Sequence, residues 1–268
     1  MTRSLALAVV LGAIPWAQAA RAEPPEDAPE NVRRWSGSNA LTLPRGRWEV
    51  ALFGGTRHGL TDSIELGMNP LLVVALPHLE AKFMSARDRR HIFAIRTRVS
   101  YPTTFLEIVS KEGQFGLLPA TSRPPIAVQL EGDAIASSEW FDEQLASVWI
   151  GVAVALHQPF TAMELPLLDF PFLYQRFAPL YAPGVPRSGF SFEGRIAWNL
   201  YYATELAWYL MPGLPDVDHA SALENALELE LRFGDTFAFS TGLRTSYAKY
   251  PYGRRTHFLP FLDVRVGF

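Results

Sequence analysis

The sequence predicts an all-β chain: an antiparallel up-and-down transmembrane β-barrel of about 12 strands, with about 10 as the alternative. Three observations lead there. Hydrophobic residues make up 49% of the chain, yet its mean hydropathy is near zero, because apolar side chains fall at alternate positions and not in the runs of about 20 that a spanning helix needs. The alternating segments are joined by connections that are by turns long and tight. Strands of about 10 residues tilted near 45° cross a hydrocarbon layer, and the segments have that length.

From the N-terminus, Arg3 and the apolar stretch 5–14, followed by the small-residue sites Ala17-Gln18-Ala19 and Ala20-Arg21-Ala22, predict an export signal over residues 1–22. Residues 23–38 begin acidic and Pro-rich and read as a flexible leader. The barrel is expected over 39–268. Its first strand is assigned to Asn39-Ala40-Leu41-Thr42-Leu43, the one segment before Pro44 able to ascend, which makes the count even. A second strand runs through 48–56, where Trp48, Val50 and Leu52 oppose Glu49 and Ala51. A tight turn follows at 58–62, with Gly59 and Asp62 as turn-formers. Ile64 and Leu66 then oppose Glu65; Leu79 and Phe83 oppose Glu80 and Lys82; Phe93, Ile95 and Val99 oppose Arg96 and Arg98; Val128 and Leu130 oppose Gln129 and Glu131. Segments 190–200, 223–233 and 237–247 carry the period most cleanly. Counting back from Phe268, the connections at 248–256, 212–219, 157–188 and 102–124 are the longer ones. Those at 234–235, 201–203, 138–143, 87–90 and 58–62 are tight, and all fall on one side.

Successive side chains on a strand point to opposite faces, so each segment has one apolar and one polar wall. A Lys or Arg on the lipid face near mid-membrane costs about 2–4 kcal/mol. Turning 190–200 inside out would put Glu193 and Arg195 there together, so the polar wall faces the lumen. It holds Glu49, Glu65, Glu80, Glu131, Glu193, Glu224, Glu228, Glu230 and Asp263 against Lys82, Arg96, Arg98, Arg195, Arg232, Arg244 and Arg265. All of these except Glu49, Glu65 and Glu224 are the expected pore lining. The near balance of charge fits two readings: cross-strand ion pairs that close a narrow barrel, or a polar bore that selects small solutes. Aromatics gather near the strand ends: Trp140, Phe141, Trp198, Tyr201 and Tyr202 on the tight-turn side, Tyr101, Phe190, Tyr247 and Tyr250 on the other.

In the last segment, Leu262, Val264, Val266 and Phe268 share one face and Asp263, Arg265 and Gly267 the other. A strand ending in Phe resembles the closing strand of Gram-negative outer-membrane β-barrels. His58-Gly59-Leu60-Thr61-Asp62 is similar to the Tyr-Gly-Leu-Thr-Asp turn common among them. The resemblance implies an outer-membrane location after signal cleavage, Phe268 as part of the signal read by the barrel assembly machinery, a leader and tight turns on the periplasmic side, and outer-membrane lipids around the wall. It further implies a pore or transporter for small solutes, or a structural barrel.

Other classes find little footing. A net charge of -3 offers no basic face to nucleic acid, and zero cysteines exclude disulfides, thiolate chemistry and a lipoprotein anchor. The histidines show no i, i+4 pair, so neither a metal nor a cofactor is expected. Residues 103–109 could form a short helix capped by a Thr. The apolar loop 157–188 either folds back as a lid or touches lipid or a partner. The alternative function is an outer-leaflet lipid hydrolase: His219 and Ser221 on the lipid-facing parity resemble the His-x-Ser pair of outer-membrane phospholipases and lipid A deacylases, although Ala222 stands where those families have Asn. Outward residues suit lipid and a partner barrel alike, which leaves the oligomeric state open.

Overall fold

The computed structural model describes residues 35–88, 90–110, 124–141, 143–158, 176–211, 220–250 and 253–268. Twelve strands follow one another around a closed antiparallel barrel: β1 Trp48–Ala51, β2 Thr56–Thr61, β3 Ile64–Met68, β4 His78–Arg87, β5 His91–Ser100, β6 Ala127–Phe141, β7 Gln144–His157, β8 Val185–Ala197, β9 Leu200–Leu210, β10 Ser221–Phe233, β11 Phe237–Tyr250 and β12 Gly253–Gly267. Among the described residues one α-helix, α1 Thr103–Ser110, lies where the sequence predicts it, and Thr103 Oγ1 accepts from Ala127 N at 2.9 Å.

Partner by partner, the wall leads from Glu49 through Arg57, Gly67, Glu80, Arg98, Glu131, Ala153 and Val185 around to Gly253. That is fourteen residues along β12 from Gly267, where Glu49 itself pairs. Such a stagger over twelve strands tilts them by about 40°. The outer face carries the expected alternation: Phe190, Phe192, Leu227, Leu229, Phe239, Leu243 and Leu262 are all exposed, while Ser191, Glu230, Ser240 and Asp263 between them are buried. A belt of this kind is stable only in lipid.

The count of twelve holds, but not by the expected route. Residues 39–43 are not a strand. Asn39, Ala40, Leu41, Thr42 and Leu43 are buried on every side, inside the barrel. The missing strand is recovered because 48–56 folds as two, β1 and the start of β2, hinged at residues 52–55. The turn expected at 58–62 is likewise strand: Gly59 N and O bond Arg47 O and Gly46 N across to the entering chain, and a Cβ on Gly59 would overlap the Pro44 carbonyl. Its glycine serves close approach, and the turn itself falls after Thr61. Two other boundaries move: the tight turn near 201–203 lies at Trp198-Asn199, and β11 and β12 run through the expected long loop 248–256 to Tyr250 and Gly253.

Tight turns and both ends of the wall lie at one end, the periplasmic one by the usual asymmetry of such barrels. There Asp88 accepts from the backbone N–H of Arg90 (2.9 Å) and His91 (2.7 Å), closing the β4–β5 turn. Trp140 and Trp198, 67% and 93% exposed, stand at this end as anchors. Tyr201 and Tyr250, expected in the girdles, turn inward and are buried. The wall is uneven in height: β1–β3 have four to six residues, whereas β6–β12 have eleven to fifteen.

Candidate functional site

The inner wall from β2 to β8 is laced by charge. Glu65, Lys82, Arg96 and Asp133 are cross-strand neighbours on β3–β6, and Arg57, Glu80, Arg98 and Glu131 form a second row. Same-face neighbours on adjacent strands sit about 5 Å apart, so opposite charges meet directly. Lys82 Nζ is 3.5 Å from Glu65 Oε1, Arg57 Nη1 2.9 Å from the same oxygen, Arg96 Nη2 2.9 Å from Asp133 Oδ2 and Arg98 Nη2 2.5 Å from Glu80 Oε2. Arg187 of β8 reaches across β7 to Asp133 Oδ1 (2.8 Å) and Glu131 Oε2 (2.6 Å). β7 presents Gly151 at the crossing, and a Cβ there would overlap Asp133.

Residues 35–43 enter from the periplasmic end and lie along this lattice. Lys82, 1% exposed, donates to the carbonyls of Leu41 (2.7 Å), Gly37 (3.3 Å) and Asn39 (3.5 Å). Glu65 accepts from Ser36 Oγ (2.7 Å) and Leu43 N (2.9 Å), and Glu49 accepts from Ser36 N (2.8 Å). Ser38 Oγ donates to Glu205 (2.7 Å), and Asn39 Nδ2 donates to Glu193. Ala40 and Leu41 meanwhile cover an inward apolar patch of Ile92, Ala94, Ile135 and Leu145. A backbone segment removed from water needs its polar groups satisfied, and the wall's charges do that here.

The outer mouth closes differently. Arg176 donates to Glu224 Oε1 (2.5 Å) and the Tyr250 hydroxyl (3.0 Å), and its guanidinium lies over Tyr209, 4.7 Å from the ring centre. Phe177 stacks on Phe105 of α1, ring centres 5.6 Å apart, above Leu76, Leu106, Val109 and Leu180. The described end of the apolar loop, residues 176–182, is thus folded back as a lid; its remainder, 159–175, lies outside the described residues.

Among the described residues, two cavities lie inside the barrel. The outer one, about 340 Å³, is bordered by Arg57, Arg98, Arg187, Glu205, Glu224 and Arg244. The periplasmic one, about 170 Å³, is bordered by Glu49, Glu193, Tyr201, Glu228 and Arg232. Gly54, Gly55, Arg57 and Arg244 border both. Space survives there because Ala203, Ala207 and Ala226 stand between the charges on β9 and β10.

This architecture has a solved counterpart. An outer membrane channel from Pseudomonas putida F1 superimposes with a TM-score of 0.54 at 10% identity, over 87% of this chain and 100% of that one. The chain has the fold of a Gram-negative outer-membrane β-barrel. OccAB4 of Acinetobacter baumannii (TM-score 0.42, 8% identity, 87% of this chain and 56% of that one) and OprD of Pseudomonas aeruginosa (0.38, 8%, 87% and 63%) are more distant and larger. No family model and no curated protein matches the sequence.

In this barrel, Glu80, Lys82, Arg96, Arg98, Glu131, Glu193, Glu228, Glu230, Arg232, Arg244, Asp263 and Arg265 all stand on the inner face. Arg265 binds Glu228 (2.5 Å) and Glu230 (3.1 Å), Arg232 pairs with Glu230 and lies over Tyr201, and Arg244 lies over Phe261. Arg195 sits at the periplasmic rim, paired with Glu143 and 42% exposed. Asp263 is turned from the bore to the backbone N–H of Phe53 (3.0 Å) and Gly54 (2.7 Å). The sequence reading missed Arg57, Asp133, Arg187 and Glu205. Asp133 and Arg187 keep the two-residue phase of Glu131 and Glu193, so extending each strand further would have found them; Arg57 fell between the strand assigned to 48–56 and the turn at 58–62, and Glu205 just after the turn at 201–203, where no alternation was read. Ser221 faces outward beside Leu210 and Lys249, and among the described residues nothing hydrogen-bonds its hydroxyl. His219 lies outside the described residues, so the hydrolase reading gains no support.

Proposed function

We propose that this barrel is a narrow passive channel for small hydrophilic solutes, exported by residues 1–22 and inserted by assembly machinery that reads Phe268. The observation that carries it is the pair of cavities set end to end along the axis, with Arg57 and Arg244 bordering both. A bore lined by fixed guanidinium and carboxylate groups exchanges water hydrogen bonds with a polar solute and repels apolar ones. Cavities of about 340 and 170 Å³ admit ions and metabolites of amino-acid size and exclude folded or polymeric cargo. Residues 35–43 set the width of the periplasmic half. In a planar bilayer, purified heat-modifiable protein should give discrete current steps. Ala226→Trp, which fills the small-residue wall, should lower them severalfold. Silence from correctly folded wild-type protein removes the channel and leaves a structural barrel.

A further inference from the structure

The barrel wall has a notch. Four to six residues tilted near 40° rise only about 10–15 Å, half of the apolar band of about 25 Å, so β1–β3 stop near mid-membrane. β12 pairs with β11 from Gly253 to Val266, but with β1 only from Arg265 to Gly267. The hydrogen bonds Leu52 N to Val264 O and Phe268 N to Trp48 O show that even-numbered residues of β12 face β1, while Gly267 N bonds β11's side at Thr236 O. Above Asp263 that edge has no strand partner among the described residues. Pro260, which lacks an N–H, falls on it.

Unpaired backbone is tolerated at membrane depth only where it lines water or is buried in protein. The lining of the outer cavity reaches the notch at Phe53, Gly54, Gly55, Met68, Asn69 and Leu72, between and just beyond the short strands. The rim is apolar and open: Val74 is 80%, Phe258 68% and Leu262 59% exposed, with Leu52, Phe53 and Leu71 beside them. Behind the rim stand Arg57, Arg98 and Arg244.

We infer that this notch is a lateral portal, through which a single-chain amphiphile with a carboxylate or phosphate head moves between the outer leaflet and the larger cavity. The rim receives the chain, the guanidinium groups bind the head in forked geometry, and a volume of about 340 Å³ holds a head with a few methylenes but no two-chain lipid.

The test uses the full barrel in nanodiscs with a photoactivatable twelve-carbon fatty acid. Crosslinks should favour Phe53, Leu71, Phe258 and Leu262 at least fivefold over the comparably exposed Val148 and Ile150 of β7 on the far wall. Uniform labelling overturns the proposal. In proteoliposomes the wild type should speed dodecanoate uptake. Gly67→Trp should lower that uptake at least fivefold: the added Cβ meets nothing nearer than 3.6 Å, and the ring fills the cavity beside the notch. Leu72→Trp is the second variant, should the first not fold. Unchanged uptake in a folded variant overturns the portal, whereas the bilayer current reads the axial bore separately. The chain has no cysteine, so oxidising Phe258→Cys in membranes should leave monomer. A disulfide dimer would mean that the edge pairs with a second copy, which also overturns the inference.

Discussion

Arg187 reaches Asp133 over the top of an intervening strand, with Nε 2.8 Å from Oδ1, because β7 presents Gly151 between them. Asp133 thereby serves Arg187 and Arg96 at once. Removing one member of a buried pair leaves its partner charged and dry, at about 3–5 kcal/mol. Asp133→Ala should lower the unfolding free energy in lipid by about that amount. Gly151→Ala, which removes no charged group, should lower it nearly as far by displacing Asp133. A midpoint within error of wild type in both would show that the lattice contributes nothing.

Among the described residues, Lys82 is the side chain that binds the carbonyls of Gly37, Asn39 and Leu41. Lys82→Met keeps the bulk and deletes those three bonds, so the segment should leave its seat for part of the time. The expected outcome is a larger mean conductance, by about twofold or more, with faster protease cleavage within residues 35–43. Glu65 keeps Arg57 at 2.9 Å, so the barrel itself should still fold.

How much of this was legible in the sequence depends on the face considered. Lipid imposes one requirement on every outward residue, so strands such as β8, β10 and β11 read cleanly from period alone. The lumen imposes none. Ile92, Ile135 and Leu145 are apolar on the inner face, against the pattern, because residues 40–41 cover them. For the same reason Asn39–Leu43 passed for a strand: its alternation is real, but both faces meet protein. Arg187 was hidden by a strand start placed five residues late, which buried the charge lattice's widest member in a supposed loop.

Glu205 differs from its neighbours in having, among the described residues, a neutral partner, Ser38 Oγ at 2.7 Å, and no ion pair. A carboxylate beside the bore with no cation against it favours passing cations. Glu205→Gln should shift the reversal potential in a salt gradient towards anions without changing stability, whereas Glu131→Gln, whose carboxylate faces Arg98 and Arg187, should lower stability as well.

At the β4–β5 turn, the N–H groups of Arg90 and His91 hold the Asp88 carboxyl below the usual carboxylate range. A depressed folded pKa gives stability that is present above the unfolded pKa and lost as pH falls through the folded one. The gap in urea midpoint between wild type and Asp88→Ala should therefore be full at neutral pH and shrink in acid. A gap that widens on acidification would contradict it.

The seam between the first and last strands rests on few ladder bonds, and Asp263 extends it by other means. Its carboxylate accepts from Phe53 N, Gly54 N and Val264 N, at 3.0, 2.7 and 2.8 Å, three donors that would otherwise be stranded where β1 turns away. A buried donor left unsatisfied costs about 1–3 kcal/mol. Asp263→Ala should accordingly open the seam first. On gels run after stepwise heating, the folded band should convert at a markedly lower temperature than wild type, and hydrogen exchange should rise at Leu52–Gly54 and Val264 before it rises on β6–β10. Asp263→Asn, which keeps an acceptor oxygen, should recover part of the loss. If exchange instead begins on the tall wall, the seam is held by something other than this carboxylate.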